Sequence, residues 1–371
     1  MLKSYRAPAG WLCALPLSIL CLTVSGVCQQ SSPDSNSSSP DPKDFLLAAA
    51  NANGLARLNL TPWHITISFD SKDGRGRPLS QGTFEELWAG PDRYKRIFAT
   101  SNFNQVEYVT SAGIRRTGSP DSAPSELMEI VDQFIHPIAM DKDSIDAAKL
   151  QMGEPSAGGT KLVCVVVSQP PEPVTAIQAF FLKGSVSNET YCTDEHSPIL
   201  RIQGSDSRNS RYVRNSIIKF QDCYLPQTIE EYGASSPAQK PMLTAKLEKI
   251  ESLSSIDDAQ FTPPADAVPP PKVIALDVRE TSRQLLHHPY PEYDFLYPGE
   301  HRSEHLGGLV IIALQIHTDG HVSNLRIVGG PQTMRQASLD AVRNWTYKPF
   351  TRDGEPVEVN TTVTLVYSLT R

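Results

Sequence analysis

Three short patterns in this 371-residue chain carry side chains of types that do chemistry. His301-Arg302-Ser303-Glu304-His305 fits H-x-x-E-H, the inverted zinc-protease pattern. On a helix, His301 and His305 stand one turn apart on one face, as two zinc ligands must, and Glu304 would be the general base. Such an enzyme also needs a third ligand on a second helix and a substrate cleft, and only 66 residues follow His305. An exposed polar helix accounts for the same five residues, so zinc proteolysis through His301, Glu304 and His305 stands as the outlying alternative. Ser216-Ile217-Ile218-Lys219 fits S-x-x-K, but it lies in strand-like text, where residues three apart point to opposite faces, and no S-D-N or K-T-G follows. Gly74-Arg75-Gly76 lacks the third glycine of a dinucleotide loop and reads as a turn. No C-x-x-C or mixed Cys/His spacing points to a metal. The chain is therefore expected to have no catalytic residues, no metal and no cofactor.

The cysteines carry the remaining reactive chemistry. Cys13 and Cys21 sit in an N-terminal apolar run, leaving Cys164, Cys192, Cys223 and, depending on processing, Cys28. Cys164 lies in the strand-like run Lys161–Val167 and Cys192 in another after a turn, so the expected disulfide is Cys164–Cys192, with Cys223 left over. Three buried free thiols is the alternative.

What positions these groups is read from patterning and composition. Lys3 and Arg6 precede an apolar stretch from Trp11 to Val24, followed by Ser25 and Gly26, the three-part form of a secretory signal. Leu12–Val27 would reach roughly 24 Å as a helix against a ~30 Å hydrocarbon core, and Pro16 weakens it further. Residues 1–28 are thus a cleaved signal peptide or an uncleaved signal anchor, and export makes disulfides permissible. Residues 29–43, rich in Ser and Pro, read as a flexible spacer. The net charge of −7 gives no basic surplus for nucleic acid.

From 44 to 258 the text is mostly β. Asp44–Leu58 has helical spacing with Asp44 as its cap. In His64–Phe69, Ile65, Ile67 and Phe69 alternate with polar residues, the period of a half-buried strand. Further strands are expected at Gly82–Trp88, Tyr94–Thr100, Val106–Ser111, Ile114–Thr117, Lys161–Ser168, Ala176–Lys183, Thr190–Cys192, Ile199–Gln203, Tyr212–Gln221, Thr228–Tyr232 and Lys246–Ser252. One helix is expected at Ser125–Ile135. The fold class is α+β: a large curved antiparallel sheet with few helices, a proline-rich linker, then a small domain of two helices on a three-stranded antiparallel sheet. Gly82–Phe98, with its Gly90-Pro91-Asp92 turn and Arg93-Tyr94-Lys95-Arg96, together with the preceding helix and strand, resembles the LolA/LolB lipoprotein carriers. That resemblance implies a half-barrel sheltering a lipid or lipoprotein in an apolar cavity; a packed scaffold sheet is the alternative.

Residues 259–275 contain five prolines in the eleven residues from Thr262 to Lys272 and read as a semi-rigid linker. Beyond it, 276–371, Leu309–His317 reads as a strand, Asp319-Gly320 as the turn into Val322–Val328, Pro331–Trp345 as a helix ended by Pro349, and Asp353-Gly354 as a turn into Val357–Ser368. That last strand alternates cleanly, with Val357, Val359, Thr361, Val363, Leu365 and Tyr367 on one face. It is expected at a sheet edge with one face in water, open to strand addition.

Four phrases in this region resemble the TonB C-terminal domain family. Tyr297-Pro298-Gly299-Glu300-His301-Arg302, running to Gly308 and Val310, resembles its Y-P-x-E-A-R-x-x-G-I-x-G-x-V. Asp319-Gly320-His321-Val322 resembles D-G-x-V. Ala337–Pro349, through Trp345, resembles A-A-L-x-A-V-R-x-W-x-F-x-P, and Asp353-Gly354-Glu355-Pro356-Val357 resembles D/N-G-x-P-V. The resemblance covers about 294–369 and implies a partner surface of Phe295, Leu296, Tyr297, Pro298 and the Val357–Tyr367 strand. Gly308, Asp319, Gly320, Trp345, Pro349 and Gly354 would be structural. It also implies an outer-membrane transporter or another envelope protein as partner, an ExbB–ExbD-type inner-membrane complex as motor, and a periplasmic location in a Gram-negative-type envelope. His301 and His305 replace small residues of the family pattern, and Trp11–Val27 lacks the polar signature with which a transducer engages its motor. Two versions follow: a membrane-anchored energy transducer, or a soluble adaptor or carrier.

Overall fold

Strict alternation builds the first half of the molecule. In Trp63–Lys72 every second side chain, Trp63, Ile65, Ile67 and Phe69, is buried, because a strand sends successive side chains to opposite faces. The computed structural model describes residues 41–55, 59–140, 142–153, 161–169, 187–233, 240–291 and 308–367. The export segment, most of the spacer, the strand expected at Ala176–Lys183 and the stretch Phe295–His305 lie outside the described residues.

Twelve strands form one antiparallel curved sheet: β1 (Trp63–Lys72), β2 (Pro78–Gly90), β3 (Arg93–Thr100), β4 (Asn104–Thr110), β5 (Gly113–Gly118), β6 (Lys149–Gly153), β7 (Leu162–Gln169), β8 (Ser187–Asp194), β9 (Leu200–Ser205), β10 (Ser210–Phe220), β11 (Cys223–Gly233) and β12 (Leu243–Ser252). Their order is β5-β4-β3-β2-β1-β12-β11-β10-β9-β8-β7-β6, so two meanders meet where β1 pairs with β12. The helix α1 (Pro42–Ala52) starts earlier than its spacing suggests. Asp41, not Asp44, is the N-cap and accepts from the Lys43 amide, and Pro42 supplies a first-turn residue whose missing N–H costs nothing.

Under the helix that follows β5, the inner face of the sheet is filled. The helix α2 (Ser125–Phe134) lays Leu127, Ile130, Val131 and Phe134 into a cluster with Trp63, Phe84, Trp88, Phe98, Leu225 and Ile229, and the Trp63 and Trp88 rings stack at 5.8 Å. Across β2–β5 the same face carries a ladder of alternating charge, Glu86–Arg96–Glu107–Arg116, each directly opposite the next. Arg96 Nε donates to Glu86 Oε2 at 2.7 Å, and Arg116 Nη2 lies 2.8 Å from Glu107 Oε2. Of the two arrangements left open by the sequence, cavity or packed scaffold, this part of the face has the packed one. The short helix α3 (Lys142–Ala147) buries Ile145 with Leu46 and Ala49 of α1 in a smaller cluster. Cys164 and Cys192 stand opposite one another on β7 and β8 with their sulfurs bonded, and Cys223 is buried. Ser216 and Lys219 are both exposed on β10.

The C-terminal half packs its own sheet. β13 (Lys272–Ala275) is followed by α4 (Val278–Ser282), β14 (Leu285–His287), β15 (Gly308–Ile316), β16 (Val322–Gly329), α5 (Gln332–Val342), β17 (Thr346–Tyr347), β18 (Thr351–Arg352) and β19 (Glu355–Tyr367). The sheet order is β13-β19-β15-β16, with β18 turning onto β19 and β14 pairing with β17. Met334, Leu339 and Val342 of α5 join Val310, Ile312, Val359, Val363 and Leu365 in one core. The β15–β16 turn needs its glycine: Gly320 has φ +89°, and a Cβ there would come within 2.0 Å of the Tyr347 carbonyl oxygen. No helix among the described residues is long and apolar enough to cross a membrane.

Because Phe134 is fully buried in the largest cluster, Phe134→Ala is expected to lower unfolding free energy by about 3–5 kcal/mol. A urea titration of the variant beside the parent checks it.

Candidate functional site

The strand β19 was expected at an edge with one wet face, and both parts of that expectation hold over only part of the strand. β15 pairs antiparallel along one side from Val359 to Tyr367. On the other side Lys272–Ala275 pairs parallel with Val357–Asn360, and the Leu276 amide donates to the Asn360 carbonyl at 3.1 Å. The alternation Val357, Val359, Thr361, Val363, Leu365 holds as the core face, and all five are buried. The opposite face is not wet throughout, since Glu358 and Thr362 are 0% and 1% exposed. The reason is that this face rests on the large sheet's β5–α2 connection.

The proline-rich segment is likewise docked rather than free. Val268 exchanges two backbone hydrogen bonds with Arg116 at the β5 edge, 2.7 and 2.9 Å. Phe261 is buried under the Arg93 guanidinium, 5.0 Å from its ring centre. Prolines lack an N–H, but Val268 and Lys272–Ala275 supply the donors that let the segment pair.

Glu358 is the centre of the junction. Ser122 donates to it twice, N–H to Oε1 at 2.8 Å and Oγ to Oε2 at 2.7 Å. From its own sheet, His317 Nδ1 lies 2.7 Å from Oε1, and Gln315 Nε2 donates to Oε2 at 3.3 Å. Burial pushes this carboxyl up, but the bonds from His317 and Ser122 outweigh it and hold the group below its ordinary value. Beside it, Thr318 Oγ1 donates to Asp121 Oδ1 at 2.6 Å.

A second contact runs along α2 and the β9–β10 turn. Arg343 lies 3.4 Å from Glu126, and the Ile327 amide donates to the Ser207 carbonyl at 2.6 Å. Burial works against the Arg343 charge, and the surrounding Glu126, Asp340, Glu129 and Glu231 more than restore it. Burial pushes Glu129 and Glu231 up, with repulsion from Glu126 adding to the first and from Glu129 to the second. Between these contacts opens a cleft of about 770 Å³ bordered by Asn102, Asp121, Glu126, His317, His321 and Arg343, with Phe103 and Leu325 among its apolar walls.

The remaining residues singled out in the sequence fall as follows. Phe295, Leu296, Tyr297, Pro298, His301, Glu304 and His305 lie outside the described residues. Tyr367 is half-buried, its hydroxyl 2.6 Å from Ser338 Oγ. Gly308 opens β15 opposite Tyr367. Asp319 caps its turn by accepting from the His321 amide at 2.9 Å. Trp345 is 8% exposed and donates to the Pro289 carbonyl at 3.1 Å. Pro349 is exposed between β17 and β18, and Asp353 and Gly354, both at positive φ, make the turn into β19. Asp121, Ser122, His317, Arg343 and Glu358 were not singled out by sequence reasoning. No local signal marks the site: Glu358 alternates with two valines that face the core, the pattern of a residue turned to water.

On one edge β19 has room beyond its β13 partner. The Asn360 carbonyl faces that edge, so the two-residue period aims the main chains of Thr364 and Val366 the same way. Both are exposed, Val366 at 67%, and no described strand pairs with them there.

Residues 294–369 match the family described as Gram-negative bacterial TonB protein C-terminal. No curated protein matches the chain. Among solved structures, the chain is similar to a putative outer membrane lipoprotein-sorting protein domain from Vibrio parahaemolyticus, at 8% identity and TM-score 0.36, covering 59% of this chain and 95% of that one. It is also similar to a LolA superfamily protein from Nitrosomonas europaea, at 9% identity and TM-score 0.37, covering 60% and 97%.

The depressed pKa of Glu358 fixes the sign of a pH effect. A carboxyl held below 4.5 when folded stabilises the protein fully above that pH and loses the contribution as pH falls through the folded value. Glu358→Gln is therefore expected to cost about 2 kcal/mol at pH 7. The gap from the parent should close on going below pH 4.5, as read by urea midpoints across pH 3–7.

Proposed function

We propose that the chain is an exported, non-enzymatic envelope protein of a Gram-negative-type cell. In this reading its TonB-type C-terminal region takes up an extended segment of an outer-membrane transporter or another envelope protein by strand addition. The observation that carries the reading is the outer edge of β19. Along Val357–Asn360 it already accepts an extended segment of the chain itself, and at Thr364 and Val366 it continues exposed. The core-facing residues Val357, Val359, Thr361, Val363 and Leu365 are buried, so a partner would be held by main-chain hydrogen bonds, with specificity left to its alternate side chains over Thr364 and Val366. Phe295–Pro298 complete the proposed surface by family resemblance. The twelve-stranded sheet, clamped to the C-terminal sheet at Glu358 and Arg343, would hold that edge in a fixed orientation. The carrier alternative asks for an open apolar chamber, and the filled face under α2 favours it less than the edge favours strand addition.

The test uses synthetic peptides spanning the N-terminal segments of the TonB-dependent transporters in the source cell, with binding to the mature chain followed by fluorescence anisotropy. Thr364→Pro removes an outward N–H without touching the β15 ladder. It is expected to weaken peptide binding at least tenfold with little change in melting temperature. Unchanged affinity would remove β19 as the docking edge.

A further inference from the structure

Asp121, His317 and Glu358 converge from three distant parts of the chain, and each offers a ligand atom within 4.8 Å of the others. Asp121 comes from the β5–α2 connection of the large sheet, His317 from the end of β15 and Glu358 from β19. All three are buried, at 8%, 7% and 0% exposure.

Two features set this cluster apart from an ordinary hydrogen-bonded junction. First, among the described residues neither carboxylate has a Lys or Arg partner: Asp121 is met by Thr318, and Glu358 by Ser122, Gln315 and His317. Buried charges are ordinarily paired with opposite charge or coordinate a cation. Second, His317 Nδ1 faces Glu358 Oε1 at 2.7 Å, near the spacing of two ligand atoms on one ion. Among the described residues Nε2 has no hydrogen-bond partner, so nothing there holds the ring proton on Nδ1 when an ion takes its place. His317 and Asp121 also border the 770 Å³ cleft, which gives an ion a path and a water for an open coordination position.

We propose that Asp121, His317 and Glu358 form a binding site for a divalent transition metal of the zinc class, which staples the C-terminal sheet to the large sheet. One imidazole nitrogen with two carboxylates is a donor set that zinc accepts, at about 2.0–2.2 Å from each ligand atom. Drawing the three residues onto one ion requires an inward movement of side chains whose ligand atoms already lie within 4.8 Å of one another.

The experiment uses the mature full chain without an affinity tag, stripped with EDTA and exchanged into metal-free buffer. Zinc chloride is titrated by calorimetry, and cobalt(II) is added in parallel to read the visible absorption of a bound ion. The expected result is one equivalent of zinc bound, with a cobalt spectrum that zinc displaces. Asp121→Asn and His317→Gln should each weaken binding at least tenfold, and the double variant His301→Ala/His305→Ala should leave it unchanged. The cobalt spectrum of the parent chain carries the test even if one variant folds poorly. Absence of stoichiometric uptake by the parent chain would overturn the proposal and leave Glu358 held by its hydrogen bonds alone. Unchanged affinity in Asp121→Asn, or loss in the His301/His305 variant, would overturn it by placing the metal elsewhere.

Discussion

Each strand carries hydrogen-bonding groups along two edges, and those shielded from water must find partners. In β19 this constraint organises the C-terminal half of the molecule. One edge is satisfied by β15 over nine residue pairs. The other is satisfied only in part, by four residues at the end of the proline-rich segment. An extended segment of the protein's own chain thus defines where a foreign one could be added. It also explains why the proline-rich stretch is held in place: its last residues are part of a sheet, and Val268 pins its middle to β5.

The second face of β19 extends the argument from edge to assembly. Glu358 is a fully buried carboxylate in a strand rich in Val and Thr. Such a group is tolerated only when its oxygens are filled, and Ser122, His317 and Gln315 fill them from both sheets. The junction is therefore a polar one, specific in orientation, in contrast to the apolar cores on either side of it. The C-terminal sheet mounted this way presents its edge at a fixed angle to the twelve-stranded sheet.

Much of the architecture was legible in the residues themselves. Ile65, Ile67 and Phe69 announce a half-buried strand, Leu127, Ile130, Val131 and Phe134 a helix with one apolar face, and Asp319-Gly320 and Asp353-Gly354 the turns where positive φ is required. What failed to show was decided by partners far along the chain. Nothing near Val357 reveals that Lys272–Ala275 will lie beside it in parallel, so the last strand read as an edge. Glu358 and Ser122 are 236 residues apart, and alternation alone assigns Glu358 to water. The same distance hides the Asp121–His317–Glu358 cluster from any search by ligand spacing. Asp44 was a reasonable cap by type, but Asp41 followed by Pro42 wins because proline fits the first turn and cannot stand further in.

Site-resolved amide hydrogen exchange on the purified protein, alone and with a saturating transporter peptide, tests most directly whether β19 is the docking edge. If β19 is half covered by β13 and half available, the amide of Asn360 exchanges slowly in both states. Those of Thr364 and Val366 exchange quickly alone and slow at least tenfold with peptide. Protection of Thr364 and Val366 equal to that of Asn360 in the free protein, or no change at either amide when peptide is bound elsewhere, would contradict it.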